Sequence, residues 1–239
     1  MNINAHNLNF KELNQKIREA TDGISVNNCC GQRFIASGMN GKKITINGTP
    51  GNALGCYLNG AEITVNGNAQ DATGDTMNAG RITIHGSAGD ALGYAMRGGN
   101  ILVKGNSGYR TGIHMKEYKE QRPVIVVGGR AGSFLGEYMA GGLIIVLGLS
   151  DRNRLPFDAF AGTGMHGGSI FVRTEIVPGN LPAQVLVSKA QAVDLEEIRP
   201  FLASYAAAFG ADAEELLKDT YYTLKPNAKN PYHQMYTRN

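Results

Sequence analysis

Proline, cysteine and long apolar runs are all in short supply in this chain of 239 residues. Its three cysteines, Cys29, Cys30 and Cys56, form no CxxC pair and cannot all pair among themselves. That excludes a disulfide scaffold and a cluster-binding thiolate set, and fits reduced thiols inside a cell. No apolar run approaches the roughly 20 residues that span a bilayer. The first residues, MNINAHNLNFKELNQKIREA, are polar and charged with no apolar signal-peptide core, so a cytoplasmic chain without a membrane partner is expected. Neither sign of charge dominates: the net charge is +3, spread along the chain. No basic stripe argues for nucleic acid.

Glycine, by contrast, is abundant. There are 32 of them, nearly twice the usual share of about 7%, and they are periodic, which excludes a disordered linker. Four segments, NGKKITINGTPGNALGCYL, NGAEITVNGNAQDATGDTM, NAGRITIHGSAGDALGYAM and RGGNILVKGNSGYRTGIHM, repeat at a fixed step of nineteen residues. Each contains one alternating run of the x-I-T-I-N kind, the mark of a half-buried strand. Ile44, Ile63, Ile82 and Ile101 fall in register, as do Ile46, Val65, Ile84 and Val103. Ile24 and Val26 extend the two columns backward; Val124 and Val126, Ile144 and Val146, and Ile170 and Val172 extend them forward, past the insertions KEYKEQR and LSDRNRLPFDAF. The glycines that punctuate the coils are Gly48, Gly51, Gly55, Gly67, Gly74, Gly86, Gly89, Gly93, Gly105, Gly108, Gly112, Gly132 and Gly136.

A short period of this kind means one stacked unit repeated. The expected fold is an all-β solenoid, a right-handed parallel β-helix of about seven to eight coils. Leucine-rich, hexapeptide and calcium-binding nonapeptide repeats fit the spacing less well. Three parts follow: an N-terminal cap helix (residues 1–22), the β-helix (23–178), and C-terminal helices with an extended tail (179–239).

Some columns resemble chemistry. Met39, Met77, Met96, Met115, Met139 and Met165 stack with Leu58; thioethers can bind soft metals, but Leu58 has no ligand capacity, and Met commonly fills gaps under a corner. Asp71 and Asp90 share a column, with Asp75 nearby. Paired carboxylates could serve acid–base catalysis, although Asn52 and Tyr109 flank them in the same column, as on a solvated rim. His85, His114 and His166 form no ligand-spaced set. Neither a metal site nor a cofactor site is expected on this chain.

The outward face of the main strand changes along the stack. Its centre reads Thr45, Thr64, Thr83, then Leu102, Ile125, Ile145 and Phe171, and its flank changes from Lys43, Glu62 and Arg81 to Pro123 and Leu143. Strands apolar on both faces must be covered, so Leu102, Ile125, Leu143, Ile145 and Phe171 form a candidate interface with the C-terminal segment or another subunit. Residues 6–20 have the spacing of an amphipathic cap helix. Leu195, Ile198, Leu202, Tyr205 and Phe209 have helical spacing interrupted by Pro200, with Gly210 as a stop and an Asp212/Glu215 capping box opening a second helix. The last residues, 225–239, read as an arm that docks on a partner.

The pattern G-x-x-I-T-V-x-G-x-x-G-x-x-x-G-x-x-M, most specific in AGDALGYAMRGGNILVKG and GGRAGSFLGEYMAGGLIIVLG, covers roughly residues 20–178. It resembles the GXGXG β-helix domain at the C-terminal end of the glutamate synthase large subunit and is similar to the homologous subunit of formylmethanofuran dehydrogenase. The resemblance implies a non-catalytic scaffold subunit of a glutamate-synthase-type oxidoreductase. Its partners would be an FMN synthase-domain subunit and a class II glutaminase, which carry the FMN, the iron–sulfur clusters and the chemistry. The alternatives are the corresponding subunit of another redox complex, such as formylmethanofuran dehydrogenase, and a free-standing β-helix enzyme using Asp71 and Asp90.

Overall fold

A computed structural model describes residues 1–21 and 23–227. The chain opens with β1 (Asn2–Asn4) and α1 (Phe10–Glu19), then runs through β2 (Ile24–Cys30), β3 (Lys43–Thr49), β4 (Asn59–Asn66), β5 (Ala79–Ile84), β6 (Asn100–Val103), β7 (Val124–Val127), β8 (Ala140–Val146) and β9 (Gly167–Arg173). It ends with β10 (Val185–Lys189), α2 (Ala192–Phe209), α3 (Ala213–Leu217) and β11 (Tyr221–Pro226). Strands β1 to β9 pair in parallel and in chain order. The β2–β9 stack is a β-solenoid of about eight turns. β11 then joins β9 antiparallel, and β10 joins β11.

Like residues stack because each strand pairs with its own copy one coil on. Ile44, Ile63, Ile82 and Ile101 are direct partners, and Ile46, Val65, Ile84 and Val103 likewise. Both columns are buried in one continuous core, each aliphatic side chain contributing about 1.5–3 kcal/mol against backbone entropy. The methionine column lies in that same core.

The stack departs from the alternation of the sequence at β7. Ile125, not Val124, pairs with Ile101 and Ile144, and Val127 pairs with Val103 and Val146. Ile125 therefore faces the core, and Val124 and Val126 face outward. Ile125 is withdrawn from the candidate interface, and Val124, rather than Pro123, is the flank residue in line with Leu143. The run VIVV is aliphatic throughout, so nothing in it marks which residues face in, and a one-residue slip exchanges the two faces.

The N-terminal end is closed by α1, which starts later than the expected residue 6. Asn9 caps it in a capping box with Glu12, and Leu13 and Ile17 are fully buried in the solenoid core. Asn14 completes the closure: its Oδ1 accepts the Ala36 N–H at 2.9 Å, a bond that the preceding coil makes elsewhere, as when the Gly55 N–H donates to the Ile35 carbonyl.

The outward apolar face is covered by the chain itself. Leu102, Val126, Leu143, Ile145 and Phe171 form a second core with Ile198, Leu202 and Tyr205 of α2, Leu216 and Leu217 of α3, and Tyr221 of β11. The candidate interface residues are thus buried inside the monomer. Helix α2 runs unbroken through Pro200. The proline ring costs about 3 kcal/mol in a helix interior, and burial of Ile198, Leu202 and Tyr205 on either side outweighs it. Gly210 ends the helix in the left-handed conformation (φ 73°). Asp212 Oδ1 caps α3 through the N–H groups of Glu214 and Glu215, while Glu215 pairs with Lys218, so only half of the expected capping box forms. Arg173, nearly fully buried, ties the cover to the stack through Asp219 (2.6 Å) and the Leu147 carbonyl (2.8 Å). Of the arm expected over residues 225–239, Lys225 and Pro226 belong to β11; residues 228–239 lie outside the described residues.

Candidate functional site

Beyond each strand the coil turns through a short corner in which alternate residues take the left-handed backbone conformation. In the coil of β5 these are Ala91 (φ 54°), Gly93 (φ 66°) and Ala95 (φ 50°); in the next they are Arg110, Gly112 and His114, and in the next Phe134, Gly136 and Tyr138. Their N–H groups bond alternately to the following and the preceding coil: Ala91 to the Tyr109 carbonyl, Gly93 to the Thr73 carbonyl, and Ala95 to the Ile113 carbonyl. The middle position takes glycine because its Cβ would point at the isoleucine two coils on, as Gly93 of the β5 coil does at Ile125 Cδ1 of β7. Gly55, Gly74, Gly112 and Gly136 occupy the same column and face Ile82, Ile101, Ile144 and Ile170. The remaining glycines, Gly48, Gly51, Gly67, Gly86, Gly89, Gly105, Gly108 and Gly132, sit against the backbone of the coil before.

At the two outer positions the backbone turns the side chain outward. A non-glycine residue held left-handed costs roughly 1–2 kcal/mol, yet the later coils place large rings there. Phe134 stacks on Phe160 with centroids 5.0 Å apart, and the Arg110 guanidinium lies 5.1 Å above the Phe134 ring. His114 stacks on Tyr138 at 5.2 Å and meets the edge of Tyr94 at 5.8 Å. Arg110 Nε is held by Glu137 at 2.9 Å, which pairs its charge. Tyr109 and Phe160 stand 55% and 56% exposed, and Tyr94 and Tyr138 are each 39% exposed. Exposed rings around a paired arginine have the composition of a protein-binding surface. Sequence reasoning missed this aromatic corner, although the signal was present: Phe134 and Phe160 lie two residues before a corner glycine, and Tyr57 and Tyr138 two residues after one.

The carboxylates are engaged differently. Asp71 Oδ1 accepts the Asp90 N–H at 2.9 Å, and Asp90 Oδ1 accepts the Tyr109 N–H at 2.8 Å. Each caps the next coil at its own position in the repeat through a main-chain hydrogen bond. Asn68, Ser87 and Asn106 form a parallel ladder of the same kind. Asp75 accepts from the Thr76 hydroxyl at 2.7 Å. The structure does not bring the histidines together: His85 lies edge-on to Phe209 beneath α2, His114 belongs to the aromatic corner, and the His166 ring lies near the Gly164 carbonyl.

Burial pushes the Cys29 thiol up to about 11, partly offset by its contact with Gln32, and burial raises Cys56 as well. A thiol held protonated is a poor nucleophile. Among the described residues no group of three His, Cys, Asp or Glu side chains could hold a metal ion, and no helix is long and apolar enough to cross a membrane.

The chain is similar to an uncharacterized protein of Methanocaldococcus jannaschii, with 42% identity over 249 residues, covering 98% of this chain and 95% of the other. It is also similar in fold to a chain in the crystal structure of the formyltransferase/hydrolase complex FhcABCD from Methylorubrum extorquens in complex with methylofuran. That match has a TM-score of 0.64 and 23% identity, covering 84% of this chain and 71% of that one. The model of the family described by the GXGXG motif matches residues 5–229. Stacked coils with a corner glycine in each, and a family match running nearly from end to end, place this chain in the GXGXG-motif family.

Proposed function

We propose that this chain is a non-catalytic subunit of a multi-subunit oxidoreductase of the glutamate-synthase type, a rigid spine on which catalytic subunits are seated. The observation that carries the reading is the aromatic corner: Phe160 and Tyr138 stand exposed, stacked on Phe134 and His114, with the Arg110 guanidinium over Phe134. The aliphatic face is spent on the chain's own helices, whereas the corner stands exposed to another protein. In this reading an FMN-bearing synthase-domain subunit and a class II glutaminase supply the cofactors, the iron–sulfur clusters and the ammonia-transfer chemistry.

The fold match to a chain of a formyltransferase/hydrolase complex supports a second reading, in which the same spine serves formyl-transfer or redox subunits. The third, a free-standing enzyme using Asp71 and Asp90, is disfavoured by the main-chain bonds that both carboxylates accept.

Co-expression with the synthase-domain and glutaminase proteins of the same genome tests the first reading. A stoichiometric complex should form, and Tyr138→Asp or Phe160→Asp should dissolve it while leaving the melting of the isolated chain unchanged. Recovery with formyltransferase or hydrolase subunits instead would transfer the assignment to the second reading. A chain that stays alone in both experiments refutes the subunit role.

A further inference from the structure

The eleven-stranded sheet ends on β10, whose far side pairs with nothing among the described residues. Its hydrogen-bonding pattern can be read from the register. The Ala190 N–H donates to the Tyr221 carbonyl and the Asn227 N–H to the Gln184 carbonyl, so even-numbered residues turn their main chain toward β11. Val185, Val187 and Lys189 therefore turn theirs away from it. Two of these outward groups are already engaged: the Val185 N–H donates to the Pro182 carbonyl at 2.9 Å, and the Lys189 carbonyl accepts from Gln191 Nε2 at 3.1 Å. Among the described residues, the Val185 carbonyl, both main-chain groups of Val187 and the Lys189 N–H have no partner.

That open set is self-complementary about Val187. In an antiparallel pair related by a two-fold axis at Val187, the two Val187 residues exchange both bonds, and each Lys189 N–H meets the Val185 carbonyl of the other copy. The two groups that such a pair would leave over are the two that the monomer already satisfies. The strand, VLVSK, carries no proline and no bulge to protect the edge, and its one charge, Lys189, would face Val185 of the other copy rather than another lysine. The opposite edge of the sheet, β1, is three residues long. Of the six large non-aromatic hydrophobic side chains exposed among the described residues, Met1, Leu149, Ile176, Val177, Leu186 and Val193, four belong to the segment between β9 and the first turn of α2.

We propose that β10 is a dimerisation edge, and that its partner is β10 of a second copy of this chain, joined antiparallel about Val187 to continue the sheet across both molecules. Such a dimer forms whichever complex the chain serves. Light scattering on the full chain should give twice the 25.5 kDa of one chain. Val187→Pro removes a central donor without touching the bonds to β11 and should give a monomer with unchanged melting. Should that variant fail to fold, Val187→Cys in a Cys30→Ser background carries the test. The hydrogen-bonded pair places the two Cα atoms about 5.5 Å apart, within disulfide reach, and oxidation should yield a covalent dimer. A chain that is monomeric at its highest soluble concentration overturns the proposal. So does a dimer that survives Val187→Pro and does not cross-link, or one that is lost on deleting residues 228–239 but kept in Val187→Pro.

Discussion

A methyl group added at Gly93 would lie 2.5 Å from Ile125 Cδ1, on a backbone with φ of +66°. Two costs then combine, roughly 1–2 kcal/mol for the left-handed conformation and about 1–3 kcal/mol for overfilling the core. Gly93→Ala is expected to lower stability by about 2–5 kcal/mol in urea unfolding. Adding Ile125→Val removes the offending Cδ1 and should return part of that loss, leaving the backbone share. The double variant also tests the register of β7. If Ile125 faced outward, as the alternation of the sequence suggests, the second change would return nothing.

At the scale of the element, α2 is the part whose position depends on one small residue. Gly128 follows β7 directly, and a Cβ there would collide with the Tyr205 hydroxyl and the Lys104 carbonyl. Tyr205 is 1% exposed and sits in the second core with Ile198 and Leu202. Burial raises its phenol to about 12, so it stays a neutral filler. Gly128→Ala should push the C-terminal part of α2 off the sheet at a cost of about 1–3 kcal/mol, with increased binding of a hydrophobic dye. Tyr205→Phe in the same chain relieves the contact with the ring oxygen and should reverse the dye binding in part. No effect of Gly128→Ala on either measurement would mean that α2 docks elsewhere.

For the whole molecule, the solenoid and its cover have to be treated as one folding unit. A chain ending at residue 190 would bare Leu102, Val126, Ile145 and Phe171, a contiguous apolar face of the kind that drives aggregation. It should be insoluble or strongly dye-binding, whereas a chain ending at Asn227 should melt like the full chain. A soluble, well-folded product from the shorter chain would show that the cover is dispensable. Cutting at 225 instead trims β11, which pairs with both β9 and β10, so the assembly role expected of residues 225–239 is best tested from 228.

The nineteen-residue step determined the solenoid without help from the structure. Ile44, Ile63 and Ile82 can share a column only if each coil stacks on the last, and parallel pairing of like residues follows from the period. The same step placed Asp71 and Asp90 together, because position within a repeat is position on the surface. What those carboxylates bond to was not legible, since the spacing of an aspartate does not say which main-chain N–H its oxygen accepts. Nor was the facing of VIVV in β7, where an insertion breaks the period and no polar residue marks the outer side. The cover of the aliphatic face and the place of β10 at the edge of the described sheet were decided by tertiary structure alone. Sequence can say that Leu102, Ile145 and Phe171 must be buried; which element reaches them, and which strand is then left at the edge, depends on where the chain turns after the repeat ends.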